Sequence, residues 1–339
     1  MTDAAPLSEA GKPARAADLD LFKTVLVWGM ITAHCIQLLA FRPKPAAMVI
    51  SDVVNLITFS GFMFAFGWGL GRSRGARKSW WGRLYPVVLL GLATWVSEFA
   101  FMALVDKAKF DGALIYNILT FSRLYGWSEF LASFFVLYAI IAVARPWLIA
   151  IGERWYLMVP AAIACLAATW IVVSGDIPLL ATIVGTTNFA SFPIVPYLPW
   201  FLLGIFYARN PEHPRAADWV LAAVATGLCA LWTAYYGEYP GRFPPTVLWI
   251  VGPALILILY LVVARFVGRR VRIPRVLLGT GRHVLAALLV SNLIIFGLRY
   301  AVGFRLGQWW WTPILAISII ATVTLWAWVL DLRKARQAR

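Results

Sequence analysis

Long apolar segments are the feature that most constrains the fold of this chain. A helix needs about 20 apolar residues to cross a bilayer, and runs near that length follow one another between short polar loops. Of the 339 residues, 62% are hydrophobic and 13% charged, whereas about a quarter of the residues in a soluble domain are charged. The sequence predicts an all-α, polytopic membrane protein of about ten transmembrane helices, at residues 21–41, 48–70, 85–105, 127–145, 156–174, 195–208, 218–236, 246–266, 283–302 and 308–330.

The basic residues predict the orientation of the chain. The net charge is +15 at pH 7, but most of the 30 Lys and Arg residues lie in short segments between apolar runs. Such residues concentrate on the cytoplasmic side, which predicts that both termini are cytoplasmic. We expect a disordered cytoplasmic tail over 1–17, one transmembrane domain over 18–332, a basic cytoplasmic tail over 333–339 and no nucleic-acid binding. Residues 113–121 and 178–192 are expected to be interfacial or re-entrant.

Three ionisable residues lie on one face of the first predicted helix. At about 100° per residue, Lys23 and His34 leave the same face about 16 Å apart along the axis, and Asp20 is one turn before Lys23. Lys23 and Asp20 are near the helix end, where snorkelling and ion pairing are common structural roles. His34 has no loop within reach, so it should face the bundle interior or a water-filled cavity. The alternative is a hydrogen-bonded histidine that holds two helices together.

A buried histidine at this depth is a candidate catalytic residue. Its unperturbed pKa lies near neutral pH, so it could remove the proton from a hydroxyl that attacks an activated acyl group. It could also carry the acyl group itself, and both mechanisms stay open. The other two histidines, His213 and His283, lie in or beside cytoplasmic loops, where we expect them to be solvated.

Further polar residues are predicted in the outer half of the membrane. Glu98 and His34 both lie about 20 Å from the inner surface, while Asp52 and Glu129 lie within about 6 Å of the outer boundary. Three polar residues extend the cluster inward: Asn55, Ser291 and Asn292. Together they predict a hydrated cavity, open to the outside, that holds a polar substrate such as a sugar. Alternatively, each is satisfied separately by a backbone carbonyl or a neighbouring helix.

The inner side of the predicted bundle is basic. Segments 72–86 and 269–283 together contain ten Lys or Arg residues, and Trp80 and Trp81 interleave with the first. These residues could bind anionic lipid head groups, or they could hold the phosphates and adenine of an acyl-CoA through arginine forks. In the second case, coenzyme A would stay at the inner face while its thioester arm reaches His34.

Several motifs, in order along the chain, are similar to those of one known family. The first helix, "DLDLFKTVLVWGMITAH", has an aspartate, a lysine and, after ten intervening residues, a histidine. It resembles the first-helix signature of membrane-bound acyltransferase family 3. Four later segments also resemble motifs of that family: "FSGFMFAFGWGL" (59–70), "WWGRLYPV" (80–87), "FPIVPYLPWFLLGIFYAR" (192–209) and "LLGTGRHVLAALLVSNLIIF" (277–296). The resemblance covers nearly the whole chain.

The resemblance implies an acyl-CoA-dependent O-acyltransferase of the bacterial inner membrane. It would move an acyl group, acetyl or succinyl, from cytoplasmic acyl-CoA to a hydroxyl of a saccharide or glycolipid at the outer face. We expect no permanently bound cofactor and no metal site. The implied catalytic residues are His34, Lys23 and Asp20, and the candidate acceptor-binding residues are Asp52, Glu98, Glu129 and Asn292.

Two departures from the family pattern concern its later motifs. Arg83 takes the place of the second arginine of the family's Arg-x-x-Arg, but the first place falls on Trp80. Arg77 or Lys78 would then substitute for it in binding acyl-CoA. The family's late Tyr-x-x-His is also absent, and residues 290–293 stand in its place.

Two other functions are compatible with the same residues. A transporter or exporter of a polar metabolite or glycan precursor would use the same polar cavity. A structural or assembly subunit of a glycan export complex would need no chemistry at His34.

Overall fold

The structure is a computed structural model that describes residues 17–73, 79–171, 180–185, 191–303 and 310–337. These residues form helices joined by short loops, and no strand occurs among them. The helices are α1 (Ala17–Leu39), α2 (Pro45–Arg72), α3 (Trp80–Leu104), α4 (Gly112–Thr120), α5 (Glu129–Gly152), α6 (Trp155–Ala167), α7 (Leu180–Ile183), α8 (Ile194–Arg209), α9 (Ala216–Tyr236), α10 (Val247–Val251), α11 (Ala254–Arg270), α12 (Arg275–Arg282), α13 (Val284–Val302) and α14 (Trp311–Gln337).

The predicted all-α membrane fold is confirmed, because every predicted span coincides with an apolar helix. Eight helical segments in the described part of the chain are long and apolar enough to cross a membrane, with α10 and α11 together forming one of them. The helices over Trp155–Trp170 and Ile194–Arg209 are apolar but shorter. The count of ten crossings and the cytoplasmic termini therefore stay predictions.

Three of the predicted special segments are described only in part. Residues 1–16 and 338–339 of the two predicted tails lie outside the described residues, and α14 continues through residue 333 to Gln337. The predicted interfacial segment 113–121 contains most of α4. Residues 178–179 and 186–190 of segment 178–192 also lie outside the described residues, and α7 lies within the remainder.

Local sequence signals explain where several helices begin and end. Asp111 and Ser79 each accept a hydrogen bond from the backbone N–H three residues on, at 2.8 and 3.2 Å, and so cap α4 and α3. Pro45 begins α2, where its missing N–H would have no helical partner anyway. Gly237 ends α9 in the left-handed conformation, with φ of 73°.

Close helix packing places α2 against α8. A Cβ atom on Gly67 would lie 1.9 Å from the carbonyl oxygen of Phe201, and one on Gly204 would lie 2.1 Å from that of Phe64. Only glycine permits these backbones to approach so closely, as in other membrane helix pairs with small residues at the interface. Helix α2 of this pair also packs against α1.

The helix with the ionisable stripe is central. Helix α1 contacts α2, α11, α12, α13 and α14. In its most apolar 18-residue stretch, 67% is buried inside the bundle, compared with 11% for the same stretch of α9. We call the end of the bundle where α1 begins the basic face, because Arg72, Arg83 and Arg282 lie there, and the other end the opposite face. Side chains of α1 can therefore face other helices along its whole length.

Candidate functional site

An ion-pair network occupies the basic face of the bundle. The buried Asp20 carboxylate lies 3.1 Å from Lys23 Nζ and 3.1 Å from Arg282 Nε. Arg282 also donates to Asp331 at 2.7 Å, and Asp331 Oδ1 lies 2.8 Å from His283 Nε2. Two carboxylates and three basic side chains thus join α1, α12 and α14.

Helix α12 presses closely against α1, and this contact fixes the network. A Cβ atom on Gly281 would lie 1.9 Å from the Asp20 carbonyl oxygen. The Gly281 N–H donates to Thr24 Oγ1 at 3.0 Å, and that hydroxyl lies within hydrogen-bond distance of the Asp20 and Leu277 carbonyls. Because the last turn of α12 has no freedom to shift, Arg282 is held beside Asp20.

The expectation that His213 and His283 are solvated is wrong. Each ring is largely buried and hydrogen-bonded to an aspartate, His213 to Asp218 at 2.6 Å and His283 to Asp331 at 2.8 Å. The rings are covered because the short loops that carry them pack against neighbouring helix ends. Both histidines lie far along the chain from α1 and tie loops to helices.

A large cavity opens near this network. Its volume is about 940 Å³, and its walls are mostly apolar side chains of α2, α3, α5 and α13. The basic residues of its lining are Lys23, Arg83, Arg145, Arg282 and His283. We call it the donor cavity. Arg77 and Lys78, the other predicted acyl-CoA-binding residues, lie outside the described residues.

His34 is buried inside the bundle, in the half of α1 that is farther from the basic face, with 4% of its surface exposed. Its Nδ1 lies 2.9 Å from Asn292 Oδ1 on α13. In the tautomer that donates from Nδ1 to this carboxamide oxygen, Nε2 keeps its lone pair. The ring also stacks on Trp127, with centroids 4.8 Å apart and an interplanar angle of 10°. The imidazole is thus oriented as a base or nucleophile through Nε2.

A strained turn before α5 holds Trp127 against His34. Gly126 and Trp127 have φ of 58° and 61°, and the second value is unusual for a bulky residue. The next residue, Ser128, donates to the buried carboxylate of Glu98 at 2.7 Å. Strain of this kind persists where surrounding contacts enforce it. Glu98 therefore acts through the turn that carries Trp127 and does not line the cavity beside His34.

The cavity beside His34 is small. Its volume is about 20 Å³, enough for about one water molecule. Three of the predicted polar residues line it, namely His34, Asn55 and Glu129, whereas Asp52 does not. The remaining lining residues are Met30, Thr58, Phe59, Trp127, Phe130, Phe192 and Arg242. Among the described residues, aromatic side chains fill the space beside His34, so this cavity is too small for the predicted sugar. We call this space the histidine cavity.

Phe130 separates the two cavities, since its side chain lines both. Its ring packs edge-on against Phe62 at 5.2 Å and near Phe134 at 4.6 Å. The expected continuous passage from the basic face to His34 is therefore interrupted at one aromatic ring. Movement of that ring would join the cavities.

Along α1, Lys23 lies about 16 Å from His34 and Asp20 about 21 Å from it. Lys23 lines the donor cavity, and Asp20 holds Lys23 and Arg282 in place. The geometry associates both residues with the donor cavity, and neither lines the histidine cavity.

Arg242 is a residue of the histidine cavity that the sequence interpretation missed. It lies in the loop between α9 and α10 at the opposite face, and its side chain enters the cavity from there. Burial lowers the pKa of its guanidinium, while Glu129, Tyr197 and Asp52 act in the opposite direction. The available signal was an arginine in a Pro- and Gly-rich loop on the side with few basic residues.

Comparison with known proteins agrees with this arrangement. The model of the acyltransferase domain of acyltransferase family 3 matches residues 16–331. The chain has no significant match among curated proteins or among solved structures. Because the family match spans nearly the whole chain, the protein belongs to acyltransferase family 3 and is a membrane acyltransferase.

Proposed function

We propose that this acyltransferase moves an acetyl or succinyl group from acyl-CoA at the basic face to a hydroxyl of a saccharide or glycolipid at the opposite face. The proposal places the basic face toward the bacterial cytoplasm, in the inner membrane. One observation carries it: an oriented histidine with an available Nε2 lies one aromatic ring away from a large cavity with a basic lining.

The proposed chemistry is general-base catalysis by His34. Nε2 takes the proton of the acceptor hydroxyl while the hydroxyl oxygen bonds to the thioester carbonyl carbon. The tetrahedral intermediate collapses, the C–S bond breaks and the coenzyme A thiolate takes the proton from Nε2. Asn292 keeps the proton on Nδ1 throughout, as the third member of a catalytic triad orients its base.

The donor cavity supports acyl-CoA as the donor. Its apolar walls suit a slender acyl-pantetheine arm, and its cations suit phosphate oxygens. Lys23 and Arg282 are already neutralised by Asp20 and Asp331. Arg83, which is exposed at the start of α3, is therefore the side chain best placed to bind phosphate.

We expect Arg83→Gln to weaken binding of acyl-CoA about tenfold, because a hydrogen bond to a charged group contributes about 1.5–3 kcal/mol. Titration of the purified protein with acetyl-CoA measures the dissociation constant. Arg154→Gln is the matched control, since Arg154 is exposed beside α6 but does not line the donor cavity. Equal affinity of the Arg83 variant and the wild type would contradict the donor assignment.

Phe130→Leu should accelerate release of coenzyme A when no acceptor is present. The smaller side chain joins the two cavities, so water from the histidine cavity reaches the thioester, which the closed site otherwise prevents. Thiol release from acetyl-CoA measures this leak. Phe134→Leu is the control, because Phe134 lines only the donor cavity. A leak that is unchanged, or equal in both variants, would show that Phe130 is not the barrier.

The function itself is tested by mass analysis of envelope glycans from cells with and without the gene. Cells without it should lose a glycan species heavier by one acyl group, and the mass difference identifies the acyl group. Identical glycan masses in the two strains would contradict the proposed acceptor class.

A further inference from the structure

The loop between α9 and α10 holds the Arg242 backbone in a tight turn. The Thr246 N–H donates to the Gly241 carbonyl at 2.9 Å, and Arg242 forms an antiparallel bridge with Pro245. Thr246 then caps α10 by accepting from the Trp249 N–H at 3.2 Å. The turn is therefore anchored to a helix, and the Arg242 side chain starts from a fixed point.

Two aromatic rings hold the guanidinium. The Arg242 Cζ atom lies 5.1 Å from the Phe192 ring centroid and 4.6 Å from that of Phe243, both within the range of cation–π attraction. Phe192 is itself fixed, because it stacks on Phe59 at 4.5 Å and its carbonyl accepts from Ser133 at 2.7 Å. The guanidinium is thus preorganised at the edge of the histidine cavity.

One hydrogen-bond donor of the Arg242 guanidinium lacks an acceptor among the described residues. Its Nε is buried and has no hydrogen-bond partner among the residues that the structure describes. A buried donor without a partner is costly because its lost hydration is not replaced, so its retention indicates a ligand that accepts hydrogen bonds. The free space beside it accommodates about one oxygen-sized group.

We propose that Arg242 stabilises the negatively charged oxygen that forms on the acyl carbonyl during transfer. This inference rests on the proposed function. When the acceptor oxygen bonds to the carbonyl carbon and His34 takes its proton, the carbonyl π electrons move onto the carbonyl oxygen. Arg242 holds that oxyanion with a fixed positive charge, in the manner of an oxyanion hole. The electron pair returns to the carbonyl as the C–S bond breaks.

A purely structural role makes a different prediction. Glu129 lines the same cavity and is electrostatically coupled to Arg242, so Arg242 could serve only as its counter-ion. In that case, removal of both charges together would restore activity. If Arg242 stabilises the oxyanion, the double variant stays impaired, because nothing replaces the missing donor.

The test uses purified full-length protein in lipid vesicles, with acetyl-CoA or succinyl-CoA as the donor. The acceptor is envelope glycan extracted from cells that lack the protein. We expect Arg242→Gln to lower kcat about 100-fold, with little change in the KM for glycan or in the affinity for acyl-CoA. Arg242→Lys, which keeps the charge, should recover part of the rate. Arg242→Gln combined with Glu129→Gln should not recover it.

The control is Arg42→Gln. Arg42 is exposed at the same face, and its guanidinium lies 5.3 Å from the Phe41 ring centroid, but it does not line the histidine cavity. The kcat of Arg42→Gln should therefore match that of the wild type. Thermal unfolding in detergent checks folding. If Arg242→Gln alone does not fold, the charge-balanced double variant, Arg242→Gln with Glu129→Gln, decides, and a wild-type kcat in that variant contradicts the proposal.

Three results would overturn the inference: an unchanged kcat in Arg242→Gln, a raised KM for glycan alone, or restored activity in the double variant. If the wild type is active and a variant gives any of these results, only the role of Arg242 is contradicted. An inactive wild type with both donors contradicts the proposed function itself, and this inference with it.

Discussion

Replacing His34 with glutamine should lower acyl transfer by about 1,000-fold or more, within the range that general acid–base catalysis contributes. Glutamine fills similar space and can still donate to Asn292 Oδ1, but it cannot take up a proton at neutral pH. The loss should therefore appear in kcat, while protein yield and acyl-CoA affinity stay near those of the wild type. Release of coenzyme A thiol and acyl incorporation into glycan measure it together.

His213→Gln is the matched control for this change. His213 is a second histidine that is largely buried and hydrogen-bonded, but it lies in the loop before α9, outside both cavities. Its replacement should leave kcat nearly unchanged. Wild-type protein prepared in the same way must be active in the assay. Full transfer activity in the His34 variant would then rule out His34 as the base.

The same variant separates the acyltransferase mechanism from the two rival functions. A transporter would move glycan precursor across vesicles without acyl-CoA, and coenzyme A would not bind to it. An assembly subunit would tolerate the loss of His34, because its function would depend on surface contacts. The described geometry favours the acyltransferase mechanism over the two rival functions, because Asn292 and Trp127 together fix the orientation of the His34 ring.

Replacing Asp20 with asparagine should destabilise the fold by about 3–5 kcal/mol, the range for removing one partner of a buried ion pair. Asp20 has 1% of its surface exposed, and its carboxylate faces both Lys23 and Arg282. Asparagine removes the negative charge that lies between Lys23 on α1 and Arg282 on α12. Unfolding by a denaturing detergent, followed by tryptophan fluorescence, measures the free energy of unfolding.

Asp18 offers a matched comparison two residues earlier in the same helix. Its ion pair with Arg72 at 2.9 Å is more exposed, with 38% of the Arg72 side chain accessible. Asp18→Asn should therefore cost about 1 kcal/mol or less. Equal effects of the two substitutions would mean that the network around Asp20 does not hold the basic face together.

The sequence predicted the helices well because each is specified locally. A long apolar run must satisfy its backbone internally in a membrane and so forms a helix. The burial of His34 followed from its position alone, since it is too far from either end of α1 to reach water. Such inferences need only one helix and its periodicity.

The site was harder to predict because its contacts join distant segments. His34 and Asn292 are 258 residues apart, and no helical period relates them. Trp127 reaches His34 through two successive residues of positive φ, which the sequence does not reveal for a tryptophan. The size of the histidine cavity depends on how aromatic side chains from three segments pack, around Phe59, residues 127–130 and Phe192. Counting polar residues by depth overestimated that size.

The central claim is that one imidazole, acting as a general base, activates an acceptor hydroxyl from the opposite face to attack a thioester that reaches it from the basic face. Transfer across vesicles in which the basic face points outward tests this most directly, with labelled acetyl-CoA or succinyl-CoA outside and envelope glycan inside. We predict labelled glycan inside, free coenzyme A outside, and no label inside with His34→Gln. Glycan labelled only when donor and acceptor share one side would contradict the account.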